Sequence, residues 1–377
     1  MMLDMCRVIA VELGSERNRI RIRIRIRMAE AIHGRGAAGN PVNRFEKLEY
    51  ERDDDADPED EPAHATQFLK DHSRSIIAHN NSPDVGFSAS VNPYRGCEHG
   101  CIYCYARPTH EFLGMSAGLD FETKILVKED APDLLRAELS SPRWKPEVLV
   151  LSGVTDCYQP IERKLKLTRR CLEVLCEFRN PTGIITKNRL VTRDIDLLQE
   201  LAKLNAVSVA LSITSLDRNL QRVLEPRTST PENRLAAIRA LADAGIPVSV
   251  MTAPIIPGLN DHEIPAILQA AANAGATGAG YVAVRLPYAI KDLFENWLEQ
   301  HRPLAKEKIL NAIRSMRGGK LNDPRFKSRM RGEGVVADRI KTLFEISKKR
   351  FGLEGVRRKL SVEAFRRPGE QLRLGDW

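Results

Sequence analysis

The sequence predicts an α/β protein whose core is a partial (β/α)6 TIM-like barrel. Three observations carry this expectation. Six short apolar runs rich in Val and Ile recur between residues 86 and 286, segments of helical periodicity separate most of them, and 377 residues suffice for one such domain with appendages at both ends. The runs are GFSASV (86–91), EVLVLSG (147–153), GIITKN (183–188), AVSVALSIT (206–214), GIPVSVMTAPII (245–256) and GAGYVAVRL (278–286). Each is short enough for one strand, and their apolar character reads as burial on both faces of a parallel sheet. Between them, ERKLKLTRRCLEVLCEF (162–178), RDIDLLQELAKL (193–204), ENRLAAIRALADAG (232–245) and HEIPAILQAAANAG (262–275) carry apolar residues at helical spacing. The last two end in Ala-Gly just before a strand, where glycine supplies a left-handed C-terminal cap. Right-handed β-α-β units follow, and the helical connections favour an open barrel over a doubly wound sheet. In either architecture the chemistry sits at the C-terminal ends of the strands.

Composition divides the chain into residues 1–84, an irregular extension with an acidic linker; 85–300, the barrel; and 301–377, a basic helical extension. Arginines at 17, 19, 21, 23, 25 and 27 alternate with isoleucines from 20 to 26. The two-residue period is that of a strand, yet the run reads as low complexity without a partner strand, and the working protein is expected to start at Met28. A basic arm for nucleic acid is the alternative. Residues 34–46 are turn-rich and aperiodic. Glu49 to Glu61 hold nine acids against one Arg, the composition of a solvated linker. Residues 301–360 hold 18 Lys or Arg against 6 Asp or Glu. There Val336, Ile340, Leu343, Phe344 and Phe351 fall at helical spacing, with Arg339, Lys341, Lys348, Lys349 and Arg350 between them. This is an amphipathic helix with a basic outer surface, either a solvated face or one that meets phosphates. The net charge of +8 is therefore uneven. No run approaches the ~20 apolar residues of a membrane span, and no secretory signal is visible. A cytoplasmic protein without a membrane partner is expected.

Seven cysteines, three of them within eight residues, argue for metal ligation over a disulfide framework. Cys97, Cys101 and Cys104 lie in NPYRGCEHGCIYCYARP, directly after the first apolar run. Their spacing also suits one face of a helix, but Pro93, Gly96, Gly100 and Pro108 describe a loop. Zinc is a further alternative and needs a fourth ligand, such as His99 or His110. Three thiolates on a glycine-bearing loop suit an iron–sulfur cluster with one iron left open.

The C-x3-C-x2-C motif with Tyr103 before its last cysteine, following the first strand of a six-strand β/α array, resembles the radical S-adenosylmethionine superfamily. GCEHGCIYCYAR resembles its spore photoproduct lyase-like branch, also called DNA repair photolyase-related. The resemblance covers about residues 85–300. It implies a [4Fe–4S] cluster on Cys97, Cys101 and Cys104, S-adenosylmethionine chelated to the fourth iron, and reductive cleavage to a 5′-deoxyadenosyl radical that abstracts hydrogen. It also implies a reductant such as flavodoxin or ferredoxin and a nucleic-acid substrate. A non-catalytic zinc or iron–sulfur module that binds nucleic acid is the alternative.

Within that resemblance, roles fall at the strand ends. Tyr103, Gly153, Thr155 and Asp156 belong to the cofactor site, the last three in the place of the amino-group motif, although the usual Gly-Gly-Glu is absent. Asp156 also reads as a helix N-cap. Lys187 is expected to meet the cofactor's ribose or carboxylate, and Ser212 and Thr214 the carboxylate. Glu225 and Arg227 complete the polar shell, and Pro257-Gly258 forms a turn on the adenine side. The branch returns a hydrogen atom from a cysteine beside the second strand; here Cys157 is the nearest thiol. Removal of residues 1–27 is expected to leave folding and metal content intact; a truncated protein that precipitates or loses its metal would overturn that expectation.

Overall fold

The structure, a computed structural model, describes residues 8–13, 20–25, 31–45, 65–355 and 359–368; Cys6 and the acidic stretch 49–61 lie outside the described residues. Six parallel strands, Ala89–Val91, Leu149–Leu151, Thr182–Thr186, Val207–Ser212, Val248–Ile255 and Gly278–Ala283, hydrogen-bond in chain order. Ile77–His79 adds an antiparallel strand beside the first. Among the described residues no ladder joins the sixth strand to the first, so the barrel stays open on one side.

Every expected run holds its strand, but burial on both faces does not hold. Val207, Val209 and Leu211 are buried while Ser208 and Ala210 are half-buried, and Val248, Val250 and Thr252 are buried while Ser249, Met251 and Ala253 are half-buried. The β-branched and Leu positions face the helices and form one large core with them. The other face carries Ser208, Ala210, Ser249, Met251, Gly278 and Gly280 together with Val150, Ile185 and Val282, and most of these are only half-buried. A closed eight-stranded barrel fills its interior with bulky side chains; this sheet does not close, and its inner face stays mostly half-buried.

The expected helices are present. The first breaks into Glu162–Leu165 and Leu167–Phe178 at Lys166, whose φ of 54° interrupts the hydrogen bonding. Ile195–Lys203, Pro231–Asp243 and Ile264–Asn273 follow, and Gly245 and Gly275 end the latter two with φ of 74° and 98°. The sequence pattern missed Ala131–Ser140, Ile290–His301 and Lys306–Ser315.

At the C-terminal end, Val335–Arg350 is helical, with Ala337, Ile340 and Phe344 buried beside Ile264–Asn273. The Phe344 and Tyr281 rings lie 4.6 Å apart. The helix therefore belongs to the outer layer, and its exposed Lys341, Lys349 and Arg350 stand there instead of at the strand ends. In the first residues the alternating segment does have a partner: Ile20–Arg25 pairs antiparallel with Val8–Leu13, a short run that is apolar but for Glu12. Among the described residues no helix is long and apolar enough to cross a membrane.

The aperiodic segment near residue 36 has a defined place. Gly36 lies so close to the cysteine loop that a Cβ there would stand 1.7 Å from the Gly100 carbonyl oxygen. Gly36→Ala is expected to lower stability by about 1–3 kcal/mol through overpacking, measured by urea unfolding; an unchanged midpoint would mean that the segment does not seat on the loop.

Candidate metal centre

After the first strand, Asn92 accepts from the amides of Val154 and Thr155 at 2.9 and 3.3 Å, tying the first strand end to the second. Tyr94–Arg95 then pairs antiparallel with Lys124–Val127. Gly96 follows at φ 82°, where a Cβ would stand 2.9 Å from the His110 ring and 3.0 Å from the Phe121 carbonyl oxygen. The Cys97 amide donates to that carbonyl at 2.9 Å, and the Ile102 amide donates to Leu224 at 3.2 Å. Cys97, Cys101 and Cys104 therefore ride on a loop, and the helical alternative falls.

Cys97 and Cys101 are buried and Cys104 half-buried. Burial pushes all three thiols up. Asp156, Cys101 and Cys104 raise Cys97 further, so the three sulfurs lie within mutual electrostatic reach. Protonated and desolvated, such thiols are stabilised by a metal that takes them as thiolates. Among the described residues no three His, Cys, Asp or Glu side chains converge as they would around one metal ion. A cubane cluster asks for something different, since each cysteine binds its own iron, and three thiols spread along one loop fit that donor set. Of the two histidines considered as a fourth zinc ligand, His99 is engaged, while His110 is engaged through Nε2 and its buried Nδ1 has no partner among the described residues. His99 contacts Asp156 at 3.4 Å and Asn188 at 3.3 Å, and His110 Nε2 lies 2.9 Å from the Lys124 carbonyl.

Three buried charge networks hold the loop. Arg107 and Glu122, both fully buried, pair at 2.5 Å. Arg107 Nε donates to the Cys101 carbonyl at 3.0 Å, while Glu122 accepts from the amides of Gly36 and Ala37 at 3.0 and 2.9 Å. The second network centres on Glu225, also fully buried. It accepts from the Tyr103 hydroxyl, from Thr214 Oγ1 at 2.6 Å and from Arg234 Nη2 at 2.5 Å, and pairs with Lys187 Nζ at 3.0 Å. In the third, Asp156 accepts from Thr186 Oγ1 and the Lys187 amide at 2.8 Å each and from the Tyr158 amide at 2.9 Å, and it faces His99.

These contacts redistribute the expected roles. Tyr103, Lys187 and Thr214 come together on Glu225. Lys187 directs its ammonium at Glu225, Thr214 Oγ1 and the Ala253 carbonyl, linking the ends of the third, fourth and fifth strands. Asp156 is held by protein donors and fastens the cysteine loop to the second and third strand ends. Thr155 Oγ1 donates to the Tyr94 carbonyl at 2.8 Å, within the loop's own scaffold. Gly153 packs on Ser90, where a Cβ would stand 2.8 Å from that side chain, and its carbonyl accepts from Tyr105 at 2.9 Å. Ser212 is buried at the end of the fourth strand, with its carbonyl accepting from Arg234. The Cys157 side chain lies in the apolar core with Tyr158, Cys171 and Leu172, apart from the group of Cys97, Cys104 and Phe121, where an inert thiol, the other reading of its place beside the second strand, would sit. Burial, then Asp156, raises its thiol, an environment that suits packing. Arg107, Glu122 and Arg234 went unread because nothing local in sequence distinguishes a buried ion-pair partner from a surface charge. Glu98, inside the motif, also pairs with Arg227 at 3.0 Å, which gives that arginine a place on the loop.

Burial opposes the charge on Glu225 and Asp156, yet Arg234 and Lys187 hold the Glu225 carboxyl well below its ordinary 4.5, and His99 holds Asp156 below 3.8. Both contributions are fully present above the ordinary carboxylate range and are lost as pH falls below it. Glu225→Gln is expected to cost about 3 kcal/mol at neutral pH, because Arg234 loses its buried partner. Asp156→Asn should flatten the decline in stability below pH 4.5, as followed by urea unfolding from pH 3 to 8; a variant with the parental acid profile would refute the assignment.

A family model described as the radical SAM superfamily matches residues 91–271. An uncharacterised protein of Mycobacterium tuberculosis is 39% identical over 225 residues, which cover 59% of this chain and 66% of that protein, just under two thirds of its length. An uncharacterised protein of Methanocaldococcus jannaschii is 34% identical over 173 residues, covering 46% of this chain and 62% of the relative. Among solved structures, a spore photoproduct lyase variant matches with TM-score 0.53 and 16% identity over 76% of this chain and 80% of that one. Spore photoproduct lyase complexed with dinucleoside spore photoproduct matches at TM-score 0.53 and 15% identity, over 75% and 79%. At these identities the structural likeness is one of fold.

Proposed function

We propose that the chain is a radical SAM enzyme, as the family match over residues 91–271 supports, that it binds a [4Fe–4S] cluster through Cys97, Cys101 and Cys104, takes S-adenosylmethionine beside it, and abstracts hydrogen from a nucleic-acid or nucleotide-like substrate. The observation that carries this reading is the set of three cysteines, two buried and one half-buried, on one loop at the C-terminal end of the first parallel strand. When bound, such a cluster supplies the electron for cleavage of the C5′–S bond of S-adenosylmethionine, which gives methionine and a 5′-deoxyadenosyl radical.

The chain's own residues prepare the place. Glu225 neutralises Arg234 and Lys187 at the strand ends, and it fixes Tyr103 against the fourth strand. In this reading Ser212, at the end of the fourth strand, supplies a polar group toward the cofactor, and Thr214 acts by holding Glu225 and Lys187 in place. The substrate class is supported by the fold shared with an enzyme whose structure holds a dinucleoside photoproduct, and by arginines at the mouth of the barrel. A flavodoxin or ferredoxin is the electron donor in this reading, and a reducing cytoplasm suits the free thiols.

Anaerobic reconstitution is expected to load about four irons per chain, and dithionite with S-adenosylmethionine should then yield 5′-deoxyadenosine. Cys97→Ala, Cys101→Ala and Cys104→Ala should each abolish that product. A colourless protein holding one zinc and leaving S-adenosylmethionine intact would overturn the reading.

A further inference from the structure

We propose that Arg285, stacked on Tyr105 at the open side of the barrel mouth, receives an oxyanion of the substrate, either a phosphate or a carboxylate group. Arg285 lies two residues beyond the sixth strand, and Tyr105 directly follows the last cysteine of the loop. Their contact, with the guanidinium carbon 4.6 Å from the ring centroid, therefore bridges the two edges of the sheet that no ladder joins. Tyr105 is anchored through its hydroxyl on the Gly153 carbonyl at 2.9 Å, and 47% of the residue remains exposed.

What sets Arg285 apart is the lack of an acid. Among the described residues it forms no ion pair, and its one hydrogen bond runs from Nη1 to the Met330 sulfur at 3.4 Å, a weak acceptor. The nearby carboxylate is already committed: Asp84 accepts from the Lys327 amide at 2.6 Å and from Arg329 Nε at 2.5 Å. The other arginines close by are engaged as well. Arg317 donates to the carbonyls of Ser328 and Val284 at 2.6 and 2.8 Å, and Arg329 also reaches Ser82. Burial lowers the Arg285 pKa from its ordinary value, and Arg329 adds to this. A half-buried guanidinium held over an aromatic ring, with most of its donors unused, is preorganised for a planar or tetrahedral oxyanion. Cys104 lies within its electrostatic reach, so a group bound there stands beside the proposed cluster.

The inference rests on the reading that the barrel mouth takes the substrate. Its test uses reconstituted full-length protein with S-adenosylmethionine present, titrated calorimetrically with phenyl phosphate, benzoate and, as neutral control, benzyl alcohol. Arg285→Gln is expected to weaken one of the two anions by about tenfold or more, the loss of a charge-assisted hydrogen bond, and Arg285→Lys should restore part of it. Benzyl alcohol and S-adenosylmethionine should bind as before. Response to phenyl phosphate alone identifies a phosphate group, and response to benzoate alone a carboxylate. Anion binding equal in the parent and both variants, or absent from the parent, would overturn the proposal, as would weakened binding of S-adenosylmethionine in Arg285→Gln. Failure of the underlying reading is distinguishable, because it appears as missing iron and missing 5′-deoxyadenosine in the parent protein. Should Arg285→Gln fail to fold, the Lys variant alone decides, with a shifted affinity supporting the assignment and an unchanged one refuting it.

Discussion

A carboxylate with no access to water organises this molecule. Glu225 lies wholly inside the protein and gathers a tyrosine from the cysteine motif, a lysine from the third strand end, a threonine from the fourth and an arginine from the helix Pro231–Asp243. Burying a charge costs several kcal/mol unless every lone pair is satisfied. Here the satisfaction comes from four separate elements, two of them remote in sequence, so the charge can be accommodated only when all four are in register. The cost of burial thus becomes a means of specifying one arrangement of the strand ends.

The same principle recurs on the other side of the loop. Arg107 and Glu122 are equally buried, and they hold the Cys101 carbonyl and the amides of Gly36 and Ala37. Asp156 closes the circuit through His99. Each network touches the segment that carries the thiols, and none of their carboxylates is left to face a metal. Division of labour is the result: thiols are available for ligation, and carboxylates supply rigidity. The sheet shows a parallel division, since its outer face packs with helices while its inner face stays mostly half-buried.

The fold was legible because periodicity is a local signal. Five of the six strands lie inside the apolar runs and the third begins one residue before its run, and four helical stretches and the C-terminal amphipathic helix appear where their spacing places them. Cys97, Cys101 and Cys104 were legible because their spacing is short. What the sequence concealed depends on contacts between remote residues. The pairing of Lys187 with Glu225 and of Asp156 with His99 has no local signal, because each joins residues from different strand ends. Gly36 carried no signal at all, since its requirement for a missing Cβ comes from Gly100, far along the chain. The basic helix drew attention by composition, while the arginine of greater interest, Arg285, is an isolated charge at the end of an apolar run.

The pairing of Arg234 with Glu225 has a consequence for the order in which the protein is made. Synthesis runs from the N-terminus and early segments emerge first. The cysteine loop leaves the ribosome long before its clamp, and Gly36 must wait for Glu122 before it can seat. Until residue 234 has emerged, Tyr103 has no settled anchor and the thiols lie on an unfastened loop, open to water and oxidants. The fastening of the thiols is thereby set late in the chain's biogenesis, after most of the barrel has been translated.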